Sequence, residues 1–351
     1  MITRKCRLWI VLTAIFITCL SISCSGRVRQ RIAERREGLS EYRPTEVNEP
    51  PAGETGEATE GPGEPFGYEL APINVTMVPF QGEQGRGDLL LSDNYDLFSF
   101  EYPSDGQDVP ALFAMPTQGG LPFPVVLLLH GHRSSKDYMI HRYSRRLAVD
   151  GVASMAIDLP LEGERSVEGQ NFFSGDPKTT AQNIRRAVID CRRALDWLSS
   201  QQNVDLDQIA IIGYSLGSWI GAMTTAADQR VDAVALNVMG VGEPGAIAGP
   251  WPSFLEEHPT LERLLGQGGT DLSAPEFSGL LIQRWVGTIS PRPLLMLNGR
   301  NDPIVTEQNA QKLFDAAGEP KDIYWYDSGH ILPPQATEDC VKWSVDKLTP
   351  G

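Results

Sequence analysis

Residues 208–223, QIAIIGYSLGSWIGAM, place one serine between two glycines directly after a run of apolar and β-branched residues. The first half of this stretch predicts a buried strand, and the second half has the apolar periodicity of a helix. Ser215 therefore lies at a strand-to-helix junction. Glycines at positions 213 and 217 allow the two elements to approach closely and the backbone to turn sharply. This arrangement favours a nucleophilic serine over a glycine pair that only ends a strand.

The rest of the chain alternates between two patterns. Segments with helical periodicity separate continuous apolar runs, which are typical of strands covered on both faces. Such alternation predicts a parallel sheet with helices on both faces and right-handed crossovers. Three shorter strand-like segments, NVTMVPF, YDLFSFEYP and ALFAMP, predict an antiparallel lead-in. The apolar runs are residues 123–130, 153–160, 208–215, 231–240, 292–299 and 322–327.

A serine hydroxyl is almost wholly protonated at neutral pH and needs a general base to act as a nucleophile. The chain has five histidines. His330 follows the last predicted strand, in DSGHILPP, where a loop would hold it above the carboxyl ends of the strands. His130 and His132 belong to the turn after the first long parallel strand, and His141 and His258 are predicted to be surface or packing residues. His330 is therefore the predicted base.

An imidazole base needs a carboxylate that fixes its tautomer and stabilises the imidazolium. Asp302 lies just beyond the strand that precedes the His330 strand, in LLMLNGRNDPIV. Asp327 is closer to His330 in sequence but is placed to serve the turn, and Asp158 follows a strand further away in the expected strand order. Asp302 is the preferred carboxylate, with Asp327 and Asp158 as alternatives.

Ser215, Asp302 and His330, in that chain order, resemble the triad of the α/β-hydrolase superfamily. The resemblance extends over residues 71–348, and the His-Gly turn, the compact size and the antiparallel lead-in are most similar to the dienelactone hydrolase and acetyl xylan esterase group. It implies an α/β-hydrolase fold: a mostly parallel, eight-stranded sheet with helices on both faces and a small helical cap insertion at about residues 241–290.

The resemblance also implies an oxyanion hole made of two main-chain N–H groups. Leu216, directly after the serine, would supply one, and His132 in the His-Gly-His turn would supply the other. Dienelactone hydrolase commonly has a cysteine as nucleophile, so serine here favours ester over specialised lactone chemistry.

These residues predict a serine hydrolase that cleaves carboxylic esters of small molecules through an acyl-enzyme intermediate. Cleavage of peptides or amides and acyl transfer to an acceptor other than water are alternatives within the same fold. A binding protein of the cell envelope that has lost activity is an alternative of another class. No spacing of His, Cys, Asp or Glu indicates a metal or cofactor. The net charge of −15 argues against nucleic acid as a partner.

The N-terminus predicts export. Basic residues precede an apolar stretch of signal-peptide length within residues 1–24, followed by Cys24. The context of Cys24 resembles a bacterial lipoprotein signal, which implies lipidation of Cys24 and attachment to a membrane in the periplasm or cell envelope. Ordinary cleavage and an uncleaved anchor are alternatives. Residues 25–71, rich in Glu, Gly, Pro and Arg, predict a flexible linker, and residues 72–351 the catalytic domain.

Cys191 and Cys340 are the cysteines of the mature body, and both are predicted to be buried free thiols on opposite faces of the sheet. In the cap insertion, aromatic residues either limit access to the acyl pocket or pack the cap onto the domain. These aromatics are Trp251, Phe254 and Trp285.

Overall fold

A computed structural model describes residues 66–81, 89–241 and 273–349 of the chain. One sheet organises this part of the protein, in the order β1-β2-β3-β5-β4-β6-β7-β8-β9. The strands are β1 (Val78–Pro79), β2 (Tyr95–Ser104), β3 (Gln107–Pro116), β4 (Phe123–Leu129), β5 (Ala153–Ile157), β6 (Val204–Tyr214), β7 (Ala233–Asn237), β8 (Leu294–Gly299) and β9 (Lys321–Tyr326).

The directions of the strands confirm the predicted fold class. The pairs β1–β2, β2–β3 and β3–β5 are antiparallel, whereas every pair from β5 through β4 to β9 is parallel. In the described residues the sheet has nine strands, one more than the eight that the resemblance implies. The first, β1, lies within the predicted lead-in segment NVTMVPF; it has two residues and pairs with β2.

Helices follow most of the parallel strands. Asp176 caps α3 by accepting hydrogen bonds from the N–H groups of Lys178 and Thr179, and Thr306 caps α5 in the same way through Asn309. The described helices include α1 (Lys136–Met139), a π-helical turn (Ile140–Ser144), α2 (Arg145–Val149), α3 (Pro177–Ser199), α4 (Leu216–Ala227), α5 (Glu307–Ala316) and α6 (Pro334–Leu348).

The sheet separates two apolar cores. Helices α3, α4 and α5 contribute to one core, and α1, α2 and α6 contribute to the other. Cys191 on α3 and Cys340 on α6 are both buried free thiols, one in each core, as the sequence predicts. Helices cover both faces of the sheet. Polar side chains can therefore gather in the loops beyond the carboxyl ends of the parallel strands.

The boundary between linker and domain differs from the predicted position at residue 72. The Phe66 side chain is fully buried in the core beside α3, and its carbonyl accepts a hydrogen bond from Arg192. The Tyr68 hydroxyl donates to Asp196, and Arg193 donates to the Ala71 carbonyl. Residues 66–71 therefore belong to the folded domain, because one aromatic anchor and several hydrogen bonds outweigh the polar composition around them.

Part of the predicted cap insertion is a set of short turns. Residues 275–289 form three 3-10 turns, Pro275–Phe277, Ile282–Arg284 and Val286–Ile289, where the sequence predicted a helical stretch. Phe277 is buried in the α3 and α4 core, and Trp285 packs on Phe66 with ring centroids 5.1 Å apart. Trp285 thus packs this segment onto the domain. Residues 242–272, with Trp251 and Phe254, lie outside the described residues, so the cap remains a prediction.

Candidate active site

The Ser215 backbone has the strained conformation expected of a sharp turn between strand and helix. Its φ of 51° and ψ of −112° fall in a region that non-glycine residues rarely adopt. Ser215 follows β6 directly and precedes the first residue of α4. Its own N–H donates to the carbonyl of Asn237 at the end of β7, at 2.9 Å. The neighbouring strand therefore helps to hold the turn in place.

The two glycines of the motif are required by close backbone contacts. A Cβ atom at Gly213 would lie 2.4 Å from the carbonyl oxygen of Gly217. A Cβ atom at Gly217 would lie 2.1 Å from the carbonyl oxygen of Leu129, the last residue of β4. Both distances are far below van der Waals contact. Helix α4 can begin this close to the sheet only because neither position carries a side chain.

Ser215, His330 and Asp302 form a continuous hydrogen-bonded series at the carboxyl ends of the strands. The Nε2 atom of His330 lies 3.0 Å from the Oγ atom of Ser215, and its Nδ1 atom lies 2.8 Å from Oδ2 of Asp302. The three residues follow β6, β9 and β8, which lie close together in the sheet. The structure thus brings together the three side chains that the sequence selected.

Backbone contacts fix the Asp302 carboxylate. Its Oδ1 atom accepts hydrogen bonds from the N–H groups of Ile304 and Val305, at 2.8 and 3.0 Å. The side chain is fully buried, and Oδ2 is left to face His330. Since Nδ1 of His330 donates to this carboxylate, Nε2 carries the lone pair that faces the serine hydroxyl.

The two alternative carboxylates are engaged elsewhere. Asp327 accepts a hydrogen bond from the side chain of Asn301 at the surface. Asp158 is buried and forms an ion pair with Lys136, with Nζ and Oδ2 2.7 Å apart. Neither has a described contact with His330, so among these three aspartates Asp302 is the one that orients the imidazole.

Tyr214 holds the loop that carries the imidazole, a role that the sequence analysis missed. Its hydroxyl donates to the carbonyl of His330 at 2.8 Å and accepts from the N–H of Leu332 at 3.1 Å. Burial raises the pKa of Tyr214 to about 12, so the hydroxyl remains protonated at neutral pH. The only sequence signal was its position beside the serine, where a tyrosine also reads as an ordinary strand residue.

The two predicted oxyanion donors belong to segments that adjoin or contact Ser215. Leu216 is the first residue of α4, so its N–H has no acceptor within the helix. The turn that contains His132 also lies against the serine, because a Cβ atom built at Gly131 would be 3.5 Å from the Cβ atom of Ser215. This geometry is compatible with both predicted N–H donors.

His130 has a structural role, because both nitrogen atoms of its buried ring contact the main chain. Its side chain is fully buried, its Nδ1 atom lies 2.7 Å from the carbonyl oxygen of Gly131, and its Nε2 atom accepts from the N–H of Leu159. Burial lowers the pKa of His130 below its usual value. The neutral ring thus ties the His-Gly-His turn to the segment after β5.

The described ranges contain neither a metal-binding cluster nor a membrane-spanning helix. No cluster of three or more His, Cys, Asp or Glu side chains in these ranges is arranged to hold a metal ion. None of the helices described there has the length and apolar character required to cross a membrane.

The chain matches the model of a known family over most of its folded part. Residues 124–339 match the family described as serine hydrolase (FSH1). The chain belongs to this family. The match spans the serine turn and extends past His330, and it confirms that the protein is a serine hydrolase, as the sequence predicted. The FSH1 match also supports the resemblance to the α/β-hydrolase superfamily.

Two curated relatives of this chain have different activities in their names. The polyketide transferase ATR5 of Stachybotrys chlorohalonatus is 23% identical over 255 residues, which cover 60% of this chain and 83% of the relative. The esterase YjfP of Escherichia coli is 26% identical over 226 residues, which cover 60% of this chain and 82% of the relative.

A solved structure has the same fold. The acetyl xylan esterase from Paenibacillus sp. R4 superposes with a TM-score of 0.61 at 18% sequence identity, covering 79% of this chain and 90% of that structure. This likeness confirms the predicted fold of the chain.

Proposed function

We propose that the protein hydrolyses carboxylic esters of small molecules through an acyl-enzyme intermediate. Ser215 is the nucleophile, His330 the general base and acid, and Asp302 the residue that orients the imidazole. The name of the relative YjfP, an esterase, supports ester substrates. The observation that carries the proposal is the relay from Asp302 through His330 to a strained Ser215, with distances of 2.8 and 3.0 Å.

The geometry suits a two-step acyl transfer. In the first step, the Ser215 oxygen bonds to the ester carbonyl carbon while His330 takes the hydroxyl proton. His330 then gives that proton to the departing alcohol as the carbon–oxygen bond of the ester breaks. In the second step, water bonds to the acyl carbon while His330 takes a proton from the water. The bond between that carbon and the Ser215 oxygen then breaks, the carboxylic acid leaves, and His330 returns the proton to Ser215. Asp302 stabilises the imidazolium that forms in each step.

Each tetrahedral intermediate carries a negative oxygen that requires hydrogen-bond donors. The main-chain N–H groups of Leu216 and His132 are proposed for this role, and the positive end of helix α4 adds to the field there. Loss of one such donor typically costs about 3 to 4 kcal/mol of barrier stabilisation. The close approach of Gly131 to Ser215 supports this assignment, because it places the His132 turn beside the nucleophile.

A fluorophosphonate probe tests the nucleophile. We expect the wild-type protein to be labelled and to hydrolyse aryl esters, whereas Ser215→Ala should do neither. Ser218→Ala is the matched control. Ser218 lies one turn further on in α4 and donates to the carbonyl of Asn237. A wild-type protein no more reactive than Ser215→Ala would overturn the proposal.

Acyl transfer is the second candidate function. The relative ATR5 is named a polyketide transferase, and an acyl-serine can be attacked by an alcohol or amine in place of water. Product analysis of an ester reaction with a series of added alcohols separates the two functions. Hydrolysis predicts free acid as the main product at all alcohol concentrations, whereas a transferase would form mainly the new ester.

The N-terminal prediction lies outside the described residues and is a proposal. We propose export of the protein and lipidation of Cys24, which would anchor the domain to a membrane of the cell envelope. The basic residues and the apolar stretch before Cys24 support this. Mass spectrometry of the mature N-terminus tests it. A mature chain that begins at any residue other than a lipidated Cys24 would overturn lipidation.

A further inference from the structure

The proposed reaction assigns no role to the side chain of His132, which belongs to the turn that contacts Ser215 at Gly131. Only its main-chain N–H is assigned to the oxyanion hole. Its Nδ1 atom lies 2.5 Å from Oε1 of Glu162, and the two side chains are only 7% and 6% exposed. In the described part of the chain, the Nε2 atom of His132 is buried and has no hydrogen-bond partner.

The surroundings of the ring fix the direction of Nε2. Because Nδ1 faces Glu162, the opposite edge of the ring, with Nε2, points away from that carboxylate. The Phe173 ring packs edge-to-face on the imidazole, with centroids 5.1 Å apart. The residue before His132 abuts Ser215. The unpaired nitrogen thus belongs to the residue whose main-chain N–H is proposed for the oxyanion hole.

Glu162 holds both the imidazole and the turn. Its Oε2 atom accepts a hydrogen bond from the N–H of Arg133 at 2.8 Å, while Oε1 contacts His132. Arg133 has a φ of 56°, a conformation that a non-glycine residue rarely adopts without support. One buried carboxylate therefore orients the His132 ring and stabilises the backbone directly after it.

The chemistry of the pair indicates what Nε2 binds. Glu162 accepts a hydrogen bond, so Nδ1 carries a proton and Nε2 of the neutral ring is an acceptor. A buried acceptor without a donor is unfavourable. A hydroxyl group satisfies Nε2 in either protonation state of the ring, since it donates to the neutral imidazole and accepts from the imidazolium.

We propose that the His132 imidazole binds a hydroxyl group of the substrate close to the scissile carbonyl, and that Glu162 is the residue that positions it. This inference rests on the proposed ester hydrolysis and narrows it to esters that carry a hydroxyl near the reacting bond. The same residue would then contact the substrate twice, through its N–H at the carbonyl oxygen and through its side chain at the hydroxyl.

Matched ester pairs test the proposal. Phenyl lactate and phenyl propionate differ by a hydroxyl on the acyl chain, and ethylene glycol monobutyrate and propyl butyrate differ by a hydroxyl in place of a methyl group on the alcohol. We expect wild-type kcat/KM to favour the hydroxylated member of at least one pair by about tenfold or more. His132→Phe keeps the main-chain N–H and an aromatic ring beside Phe173, and should bring that ratio close to one.

Two further variants separate substrate binding from a structural role. Glu162→Gln cannot accept from both His132 and Arg133, so it should lower the same ratio mainly by raising KM for the hydroxylated ester. His141→Phe, at an exposed histidine, should keep the wild-type ratio. If His132→Phe lowers kcat/KM equally for both members of every pair, the role is structural and the proposal is overturned.

Labelling of Ser215 by the fluorophosphonate probe distinguishes the two levels of failure. A wild-type enzyme that is labelled but shows a ratio near one for both pairs overturns the hydroxyl site alone. A wild-type protein that is not labelled overturns the proposed function, and this inference with it.

Discussion

At the scale of single residues, Asp302 shows how the surrounding backbone gives a carboxylate its role. Two N–H groups occupy one of its oxygens, which leaves the other to face His330. Asp302→Asn keeps the shape but removes the charge, and an amide can present its NH₂ group to Nδ1 and favour the wrong tautomer of His330. We expect kcat to fall by about three to four orders of magnitude, with little loss of folding stability, measured with an aryl ester.

Asp327→Asn is the matched control for this prediction. Asp327 precedes His330 by three residues, but its partner is the side chain of Asn301. Its substitution should change kcat by no more than a few-fold. A larger loss for Asp327→Asn than for Asp302→Asn would contradict the assigned orientation of the imidazole.

His130 predicts a pH dependence of folding stability. Burial lowers its pKa in the folded state, whereas the unfolded chain takes up a proton near the ordinary value of 6.5. Above that value His130 is neutral in both states, and its contribution to the free energy of unfolding is fully present. As the pH falls below about 6.5, the unfolded chain binds the proton first, so this contribution is lost until the folded pKa is reached.

Urea unfolding at a series of pH values from about 8 to about 5 tests the effect of His130. The free energy of unfolding should decrease toward acid pH in the wild type and less steeply in His130→Gln. His141→Gln is the control, because His141 is exposed and should keep the wild-type slope. Equal slopes in the wild type and His130→Gln would remove His130 as a source of the acid sensitivity.

At the scale of secondary-structure elements, the contact between β4 and the start of α4 determines the position of Ser215. A Cβ atom at Gly217 would collide with the backbone of Leu129, which cannot move without disturbing β4. We expect Gly217→Ala to lower the free energy of unfolding by about 1–3 kcal/mol or more and to weaken labelling of Ser215. Chemical unfolding and probe labelling measure the two effects.

Gly175→Ala is the control for the Gly217→Ala prediction. No heavy atom lies within 4 Å of a Cβ atom built at Gly175, and its φ is not in the left-handed region. Its substitution should change the free energy of unfolding by less than about 0.5 kcal/mol and leave labelling intact. Similar losses at Gly175 and Gly217 would mean that general loss of glycine, rather than the contact with β4, causes the effect.

At the scale of the whole described domain, residues 66–71 extend the fold beyond the boundary predicted at residue 72. Phe66 is fully buried against α3 and Trp285, so this segment joins the core on one face of the sheet. Phe66→Ala should lower the free energy of unfolding by about 3–5 kcal/mol, since it leaves a cavity in a packed core. Urea unfolding of the full chain measures this loss.

Leu70→Ala is the control in the same segment. The Leu70 side chain is 77% exposed, so its removal should cost less than about 0.5 kcal/mol. If Phe66→Ala lowers the free energy of unfolding as little as Leu70→Ala does, residues 66–71 contribute little to stability. The stable domain would then begin at the predicted residue 72.

The sequence by itself determined the parallel sheet, the helices on both faces and the turn at Ser215. These features depend on local patterns: apolar runs for strands covered on both faces, helical periodicity between them, and glycines on both sides of one serine. Each such pattern lies within about twenty residues, which is why it can be read without knowing where the distant parts of the chain pack.

Only the tertiary structure decided which distant groups meet. His330 contacts Ser215 across 115 residues. It pairs with Asp302, which follows the neighbouring strand β8, whereas Asp327 is held by Asn301 and Asp158 by Lys136. The contacts of Tyr214 with the His330 loop, of Glu162 with His132 and of Phe66 with α3 are of the same kind. They join segments that no local pattern connects, so burial and hydrogen bonding across the folded chain had to determine them.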